Sequence, residues 1–127
     1  MNEKETHRPL SPHLQIYRLQ LTSFMSILHR FCGTALATGT LMVMWGLLAA
    51  ASGEDAWEQF TGFSRSWLGT LMIFGWSVAL YYHLCNGVRH LIWDTVYLLD
   101  IRGAYRAGYA VLASAALLTV LTWWRHL

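Results

Sequence analysis

Three long apolar stretches dominate the sequence, and each could cross a lipid bilayer as a helix. They run from Phe31 to Ala51, from Trp67 to Val88 and from Ala107 to Trp124, and a spanning helix needs about 20 apolar residues. Of the 127 residues, 55% are hydrophobic and only 13% are charged, which is too apolar for an ordinary soluble domain. The sequence therefore predicts an all-α integral membrane protein with three transmembrane helices.

We expect the helices to extend somewhat beyond these apolar cores. The predicted spans cover residues 23–51, 67–97 and 105–125, joined by an outer loop at 52–66 and an inner loop at 98–104. Residues 1–22 form a predicted segment at the inner face, where Pro9 and Pro12 disfavour a helix. The outer loop is expected to hold a short amphipathic turn around 57–60, and we assign it no functional site.

The distribution of basic residues predicts the orientation, because short loops rich in Lys and Arg stay on the cytoplasmic side. Four precede the first apolar stretch, which begins at Phe31: Lys4, Arg8, Arg18 and Arg30. Three lie between the second and third apolar stretches: Arg89, Arg102 and Arg106. The outer loop carries three acidic residues against one arginine. We therefore place the N-terminus inside, with no visible signal peptide. Both cysteines fall in apolar helices and are expected to be reduced.

A cluster of ionisable side chains lies at the end of the second apolar run. At about 100° per residue, His83, Gly87, His90 and Asp94 fall on one stripe of a helix. Ionisable groups at membrane depth are rare unless they pair, coordinate or transport something. Gly87 has no side chain, so it leaves a shallow groove between the two histidines where a porphyrin could lie. The stripe predicts a cofactor site.

Two neutral imidazoles on opposite faces of the iron can hold a b-type haem in a helix bundle. His83 and His90 cannot be that pair, because about 10.5 Å separates them along one face of one helix. His83 is the better ligand because it lies deeper in the membrane. His90 lies nearer the aqueous edge and could pair with haem propionates, together with His29, Arg30 or Arg89. Within the chain only His29 remains for the second axial position, but it lies closer to the membrane surface than His83. We therefore expect the second ligand to come from a partner subunit. The alternative for His83 is a histidine hydrogen-bonded between helices.

The start of the first span offers two donors on one face. Ser26 and Arg30 lie four residues apart, so their side chains can converge on one acceptor. The alternatives are that the Ser26 hydroxyl bonds to a backbone carbonyl and that Arg30 reaches out to lipid headgroups. Small residues along the same span, Gly33, Gly39 and Gly46, predict close helix packing rather than chemistry. The third span contains nothing ionisable and is expected to be scaffold.

Three stretches of the sequence resemble a known family. They are RPLSPHL at Arg8–Leu14, SILHR at Ser26–Arg30, and H-x-x-x-G-V-R-H-L-x-W-D at His83–Asp94. Their order and spacing are similar to those of the cytochrome b large-anchor subunit of succinate dehydrogenase, respiratory complex II. One departure is Cys32, where the family usually has Ser or Thr. A hydroxyl role at that position is therefore weakened.

The resemblance implies roles for five side chains. His83 would be one axial ligand of haem b, with the other ligand supplied by the small anchor subunit. His29, Arg30 and His90 would lie near the haem propionates. Ser26 and Arg30 would line the ubiquinone pocket beside the iron–sulfur subunit. A hydroxyl and a permanent cation suit that pocket, since negative charge develops on quinone oxygens during reduction.

In this family, flavin and iron–sulfur clusters reside on soluble subunits, and the sequence contains none of their motifs. The resemblance therefore implies a non-flavin subunit of an oxidoreductase complex that has no catalytic residues of its own. Its partners would be the flavoprotein, iron–sulfur and small anchor subunits and the lipid bilayer, with no nucleic acid. The expected location is the bacterial inner membrane, or alternatively the mitochondrial inner membrane. Competing functions are the anchor of a quinol:fumarate reductase and a non-redox scaffold or proton-relay protein.

Overall fold

The computed structural model describes Ile16 and residues 18–124. This part of the chain forms four helices and no strand: α1 (Leu21–Ser52), α2 (Glu54–Arg65), α3 (Trp67–Asp94) and α4 (Ile101–Trp123). By length and apolar composition, α1, α3 and α4 are candidates to span a membrane. The predicted all-α membrane fold with three spanning helices is confirmed. The RPLSPHL stretch, both prolines and the end of the predicted third span after residue 124 lie outside the described residues.

The expected outer loop is largely helical. Gly53 ends α1 with φ at 109°, a left-handed conformation that glycine adopts readily. The 12 residues of α2 follow directly. Acidic Glu54 and Asp55 in the first turn and Arg65 in the last turn complement the helix dipole. Two aromatic rings of α2, Phe60 and Phe63, pack against Trp45 at centroid distances of 5.1 and 5.3 Å, so the segment covers the end of α1.

The connection between α3 and α4 lies earlier in the chain than predicted, at residues 95–100 rather than 98–104. Val96 and Leu98 have positive φ angles of 67° and 60°, which an α-helix cannot accommodate, so α3 ends at Asp94 rather than near residue 97. Asp100 then caps α4, because its carboxylate accepts a hydrogen bond from the backbone N–H of Gly103 at 3.0 Å. As a result, α4 begins at Ile101, four residues before the expected boundary at 105.

A small core forms where α1, α3 and α4 meet. It consists of the buried side chains of Met25, Tyr82, Val111 and Ala115. The hydroxyl of Tyr82 donates a hydrogen bond of 2.8 Å to the carbonyl of Met25 and ties α3 to α1. Large apolar side chains stay exposed on all three long helices, as expected of surfaces that face lipid or other membrane helices.

Close contact between α1 and α3 depends on two glycines of α1. A Cβ at Gly33 would lie 3.1 Å from Cε1 of His83, and one at Gly39 would overlap the indole of Trp76. The indole N–H of Trp76 donates to the carbonyl of Leu36 at 3.4 Å. Trp76 therefore serves helix packing, and α1 lies close enough to α3 for their histidines to meet.

Gly39→Ala is expected to lower the unfolding free energy by about 1–3 kcal/mol, because the added methyl group forces Trp76 away from α1. Gly75→Ala is the matched control. Nothing in the described structure lies within 4 Å of a Cβ at Gly75, and alanine is the better helix former. Thermal melting of the detergent-solubilised complex measures both variants. Equal melting temperatures for the two would contradict the packing role of Gly39.

Candidate functional site

Two histidines from neighbouring helices lie face to face at the centre of the site. His29 of α1 and His83 of α3 stack with ring centroids 3.9 Å apart and planes 6° from parallel. Nδ1 of His83 lies 3.2 Å from the carbonyl oxygen of His29. The absence of a side chain at Gly33 makes room for the His83 ring against α1. The ring is therefore held on one side by packing and at one nitrogen by a hydrogen bond.

This hydrogen bond determines which nitrogen of His83 can bind a metal. A carbonyl oxygen can only accept, so the proton resides on Nδ1 and the lone pair on Nε2. Nε2 makes no hydrogen bond with any residue that the structure describes. Metal-binding histidines commonly donate their other N–H to a backbone carbonyl, which fixes the tautomer and the ring orientation. The arrangement fits a ligand of haem iron.

The third predicted histidine joins the same cluster. The ring of His90 lies 5.2 Å from that of His29, and its Nδ1 donates to the carbonyl of Asn86 at 2.8 Å. Nδ1 of His29 is buried and has no hydrogen-bond partner in the described part of the chain. A Cβ at Gly87 would meet no described atom within 4 Å, so the groove between His83 and His90 is open. The described residues contain no group of three or more His, Cys, Asp or Glu that could hold a bare metal ion.

A cavity of about 410 Å³ lies between the beginning of α1 and the end of α3. Ser26 and Arg30 line it from α1, and Asn86, Arg89 and His90 line it from α3. Three of the residues predicted for the site, Ser26, Arg30 and His90, therefore share one cavity. His83 is not among its lining residues.

Both donors predicted on α1 are free of other partners. The hydroxyls of Thr34 and Thr38 donate to carbonyls four residues earlier, at 3.1 and 3.2 Å. Ser26 makes no such bond and has no hydrogen-bond partner among the described residues. Arg30 is exposed, and its guanidinium likewise forms no ion pair or hydrogen bond within residues 18–124. The two side chains can therefore donate to a molecule in the cavity.

Cys32, the departure from the family pattern, lies on a different face of α1. It packs against the buried core and lines a separate apolar cavity of about 530 Å³ together with Leu28 and Tyr82. The thiol is not part of the cavity that Ser26 and Arg30 share. The substitution at this position therefore leaves those two donors in place.

The burial of two polar residues of α3 does not follow from the ionisable stripe that the sequence indicates. Asn86 was not singled out, and Arg89 was placed near the aqueous edge, yet they are 0% and 3% exposed. Tyr82, also buried, lies four residues before Asn86 and seven before Arg89. That helical spacing is a second polar stripe on α3 and was the available signal. The stripe lies where α3 meets both α1 and α4: Tyr82 donates to the carbonyl of Met25 in α1, and Arg89 donates to the carbonyl of Ala104 in α4 at 2.9 Å.

Comparison with known proteins identifies the family of the chain. Residues 4–122 match the family model described as succinate dehydrogenase/fumarate reductase transmembrane subunit. The chain is 43% identical over 116 residues to the succinate dehydrogenase cytochrome b556 subunit of Paracoccus denitrificans, covering 91% of this chain and 89% of that protein. It is 38% identical to the succinate dehydrogenase cytochrome b556 subunit of Rickettsia felis, and the match covers 91% of this chain and 90% of that protein. The mitochondrial succinate dehydrogenase cytochrome B subunit of Schizosaccharomyces pombe is 42% identical, and the match covers 90% of this chain and 66% of that protein. The chain belongs to the succinate dehydrogenase/fumarate reductase transmembrane subunit family.

Proposed function

We propose that this chain anchors a succinate:ubiquinone oxidoreductase in the inner membrane of a bacterium or mitochondrion. In this function it supplies one axial ligand to a haem b shared with a small anchor subunit, and it forms part of the site where ubiquinone is reduced. It does not oxidise succinate itself, which is the task of flavoprotein and iron–sulfur partners. The relatives are named as succinate dehydrogenase cytochromes, which favours this function over a fumarate reductase anchor or a non-redox scaffold.

The observation that carries the proposal is the geometry of His83. Its Nδ1–H bonds to the carbonyl of His29, and its Nε2 has no partner in the described structure. A histidine that merely joined two helices would not need a fixed tautomer with a free lone pair at this depth. Bound haem would supply a one-electron reservoir beside the quinone site. His83 would hold its iron, and a partner subunit would provide the opposite ligand.

The other two histidines and Arg30 are suited to carboxylates. Nδ1 of His29 is buried without a partner in the described residues, and such a group is costly unless an acceptor is present. His90 and Arg30 line the neighbouring cavity from opposite helices. We assign these three side chains to the region of the haem propionates, where the guanidinium of Arg30 and an N–H of His29 stabilise negative charge. The one N–H of a neutral His90 is already bonded to the carbonyl of Asn86, so its ring serves as a wall of that region.

Ser26 and Arg30 are assigned to the quinone. Both line the cavity and neither has a partner within the described chain. A hydroxyl donor and a guanidinium that cannot lose its proton stabilise negative charge as it develops on a quinone oxygen. The cavity lies at the start of α1, the end that the charge distribution assigns to the inner face. The iron–sulfur partner would dock at this same end and deliver electrons there.

His83→Gln is expected to abolish the b-type optical spectrum, because the amide that replaces the imidazole is a poor iron ligand. His90→Gln is the contrast variant. It removes a neighbouring imidazole that is not assigned to the iron, so its haem spectrum should persist. Reduced-minus-oxidised spectra of membranes with equal amounts of complex measure both variants. A normal spectrum for His83→Gln would refute the axial assignment.

Ser26→Ala and Arg30→Gln are each expected to slow succinate–quinone turnover about 10- to 100-fold with the haem retained, since each removes a donor to the developing charge. Thr34→Ala is the matched control, because the Thr34 hydroxyl already bonds to the carbonyl of Arg30. Succinate oxidation with a soluble dye should be unchanged in all three variants. Unaltered quinone turnover in both Ser26→Ala and Arg30→Gln would exclude this cavity as the quinone site.

A further inference from the structure

Arg89 is the one charged side chain that is buried within the described part of the chain, at 3% exposure. Its Nη2 donates to the carbonyl of Ala104 in α4 at 2.9 Å, and its Nη1 donates to Oδ1 of Asn86 at 3.3 Å. Nη1 also lies 3.8 Å from the sulfur of Met25 in α1. The guanidinium carbon lies 4.0 Å from the ring centroid of Trp93. The charge is thus held where three helices meet.

All of these contacts are electrically neutral. No Asp or Glu of the described chain forms an ion pair with Arg89, whose neighbours are a carbonyl, an amide, a thioether and an indole. An arginine keeps its proton even when buried. A buried cation without a counter-charge is costly, and this cost is reduced when an anion comes close.

Arg89 and Asn86 each carry a hydrogen-bond donor that has no acceptor in the described structure. Nε of Arg89 and Nδ2 of Asn86 are buried and make no hydrogen bond in the described structure. Asn86 and Arg89 both form part of the wall of the 410 Å³ cavity, opposite Ser26 and Arg30. Unpaired donors and an unneutralised cation at one wall favour a negatively charged oxygen in the cavity.

We propose that Arg89, positioned by Asn86, is a permanent buried cation that stabilises an anionic oxygen in this cavity. That oxygen belongs either to a haem propionate or to the quinone as it gains electrons. Arg89 is a positioning residue in this proposal, because its bonded partners are protein groups and its charge acts on the ligand through the field at the cavity wall. The inference rests on the proposed function.

The alternative is that Arg89 only joins α3 to α4 through its hydrogen bond to Ala104. Asn86→Asp separates the two roles. It has nearly the shape of asparagine and keeps the oxygen that accepts from Arg89, but it adds a negative charge that neutralises the guanidinium. Arg89→Gln removes the charge and Arg89→Lys retains it. Arg102→Gln is the matched control, since it removes an equal charge from an exposed position on α4.

The measurements are made on the whole complex: an optical redox titration of the haem, and kcat and KM for ubiquinone. Asn86→Asp and Arg89→Gln are expected to lower the equilibrium constant for haem reduction, the kcat/KM for quinone, or both, by about tenfold. This factor corresponds to a unit charge acting over about 10 Å at an effective dielectric constant of about 20. Arg89→Lys and Arg102→Gln should remain within about twofold of the unmutated complex.

The pattern of losses identifies the anion. A change in the haem equilibrium alone assigns the effect to a propionate, and a change in quinone kinetics alone assigns it to the quinone. The proposal is overturned if Asn86→Asp binds haem and alters neither quantity, or if Arg89→Lys is as impaired as Arg89→Gln. If the Arg89→Gln complex does not assemble, the haem titration and quinone kinetics of Asn86→Asp test the proposal. If neither variant assembles, Arg89 serves only to join the helices, and the proposal is overturned. The proposed function is tested separately, by the haem signal of the unmutated complex.

Discussion

Nδ1 of His83 lies 3.2 Å from the carbonyl oxygen of His29, and the geometry of the whole site depends on this contact between α1 and α3. Inside a membrane no water is available to satisfy an imidazole, so the protein must provide partners for its nitrogens. One nitrogen is satisfied by the backbone of α1. Gly33 favours the contact, since a Cβ at that position would lie 3.1 Å from Cε1 of His83 and press on the ring.

The close approach of α1 and α3 has consequences beyond this pair. Since the helices run in opposite directions, the beginning of α1 lies beside the end of α3, and Ser26 and Arg30 come to share a cavity with His90. At the opposite end of the same helix pair, Trp76 packs on Gly39, and the aromatic rings of α2 pack on Trp45. Polar chemistry is concentrated at one end and apolar packing at the other. This division suits the proposed function, in which apolar packing anchors the chain and the polar end forms the quinone site.

The spanning helices and the placement of His83 and His90 on one face of α3 could be predicted from the sequence, because both follow from local periodicity. Hydrophobic length identified α1, α3 and α4, and helical spacing placed His83 and His90 on one face. The close pairing of His29 with His83 was beyond such reasoning, since it depends on the register between two helices. For the same reason the burial of Arg89 was missed: its partner is the carbonyl of Ala104, and the position of that carbonyl follows from the cap at Asp100 and the tight turn before it.

In the proposed site, Nε2 of His83 binds haem iron from one side while another polypeptide binds it from the other. An electron cryo-microscopy map of the purified complex tests this most directly. The expected result is a flat macrocycle at the α1–α3 groove, with Nε2 of His83 bound to its iron and a histidine of a different subunit opposite. A map in which Nε2 of His83 contacts only protein, with the haem elsewhere or absent, would contradict it.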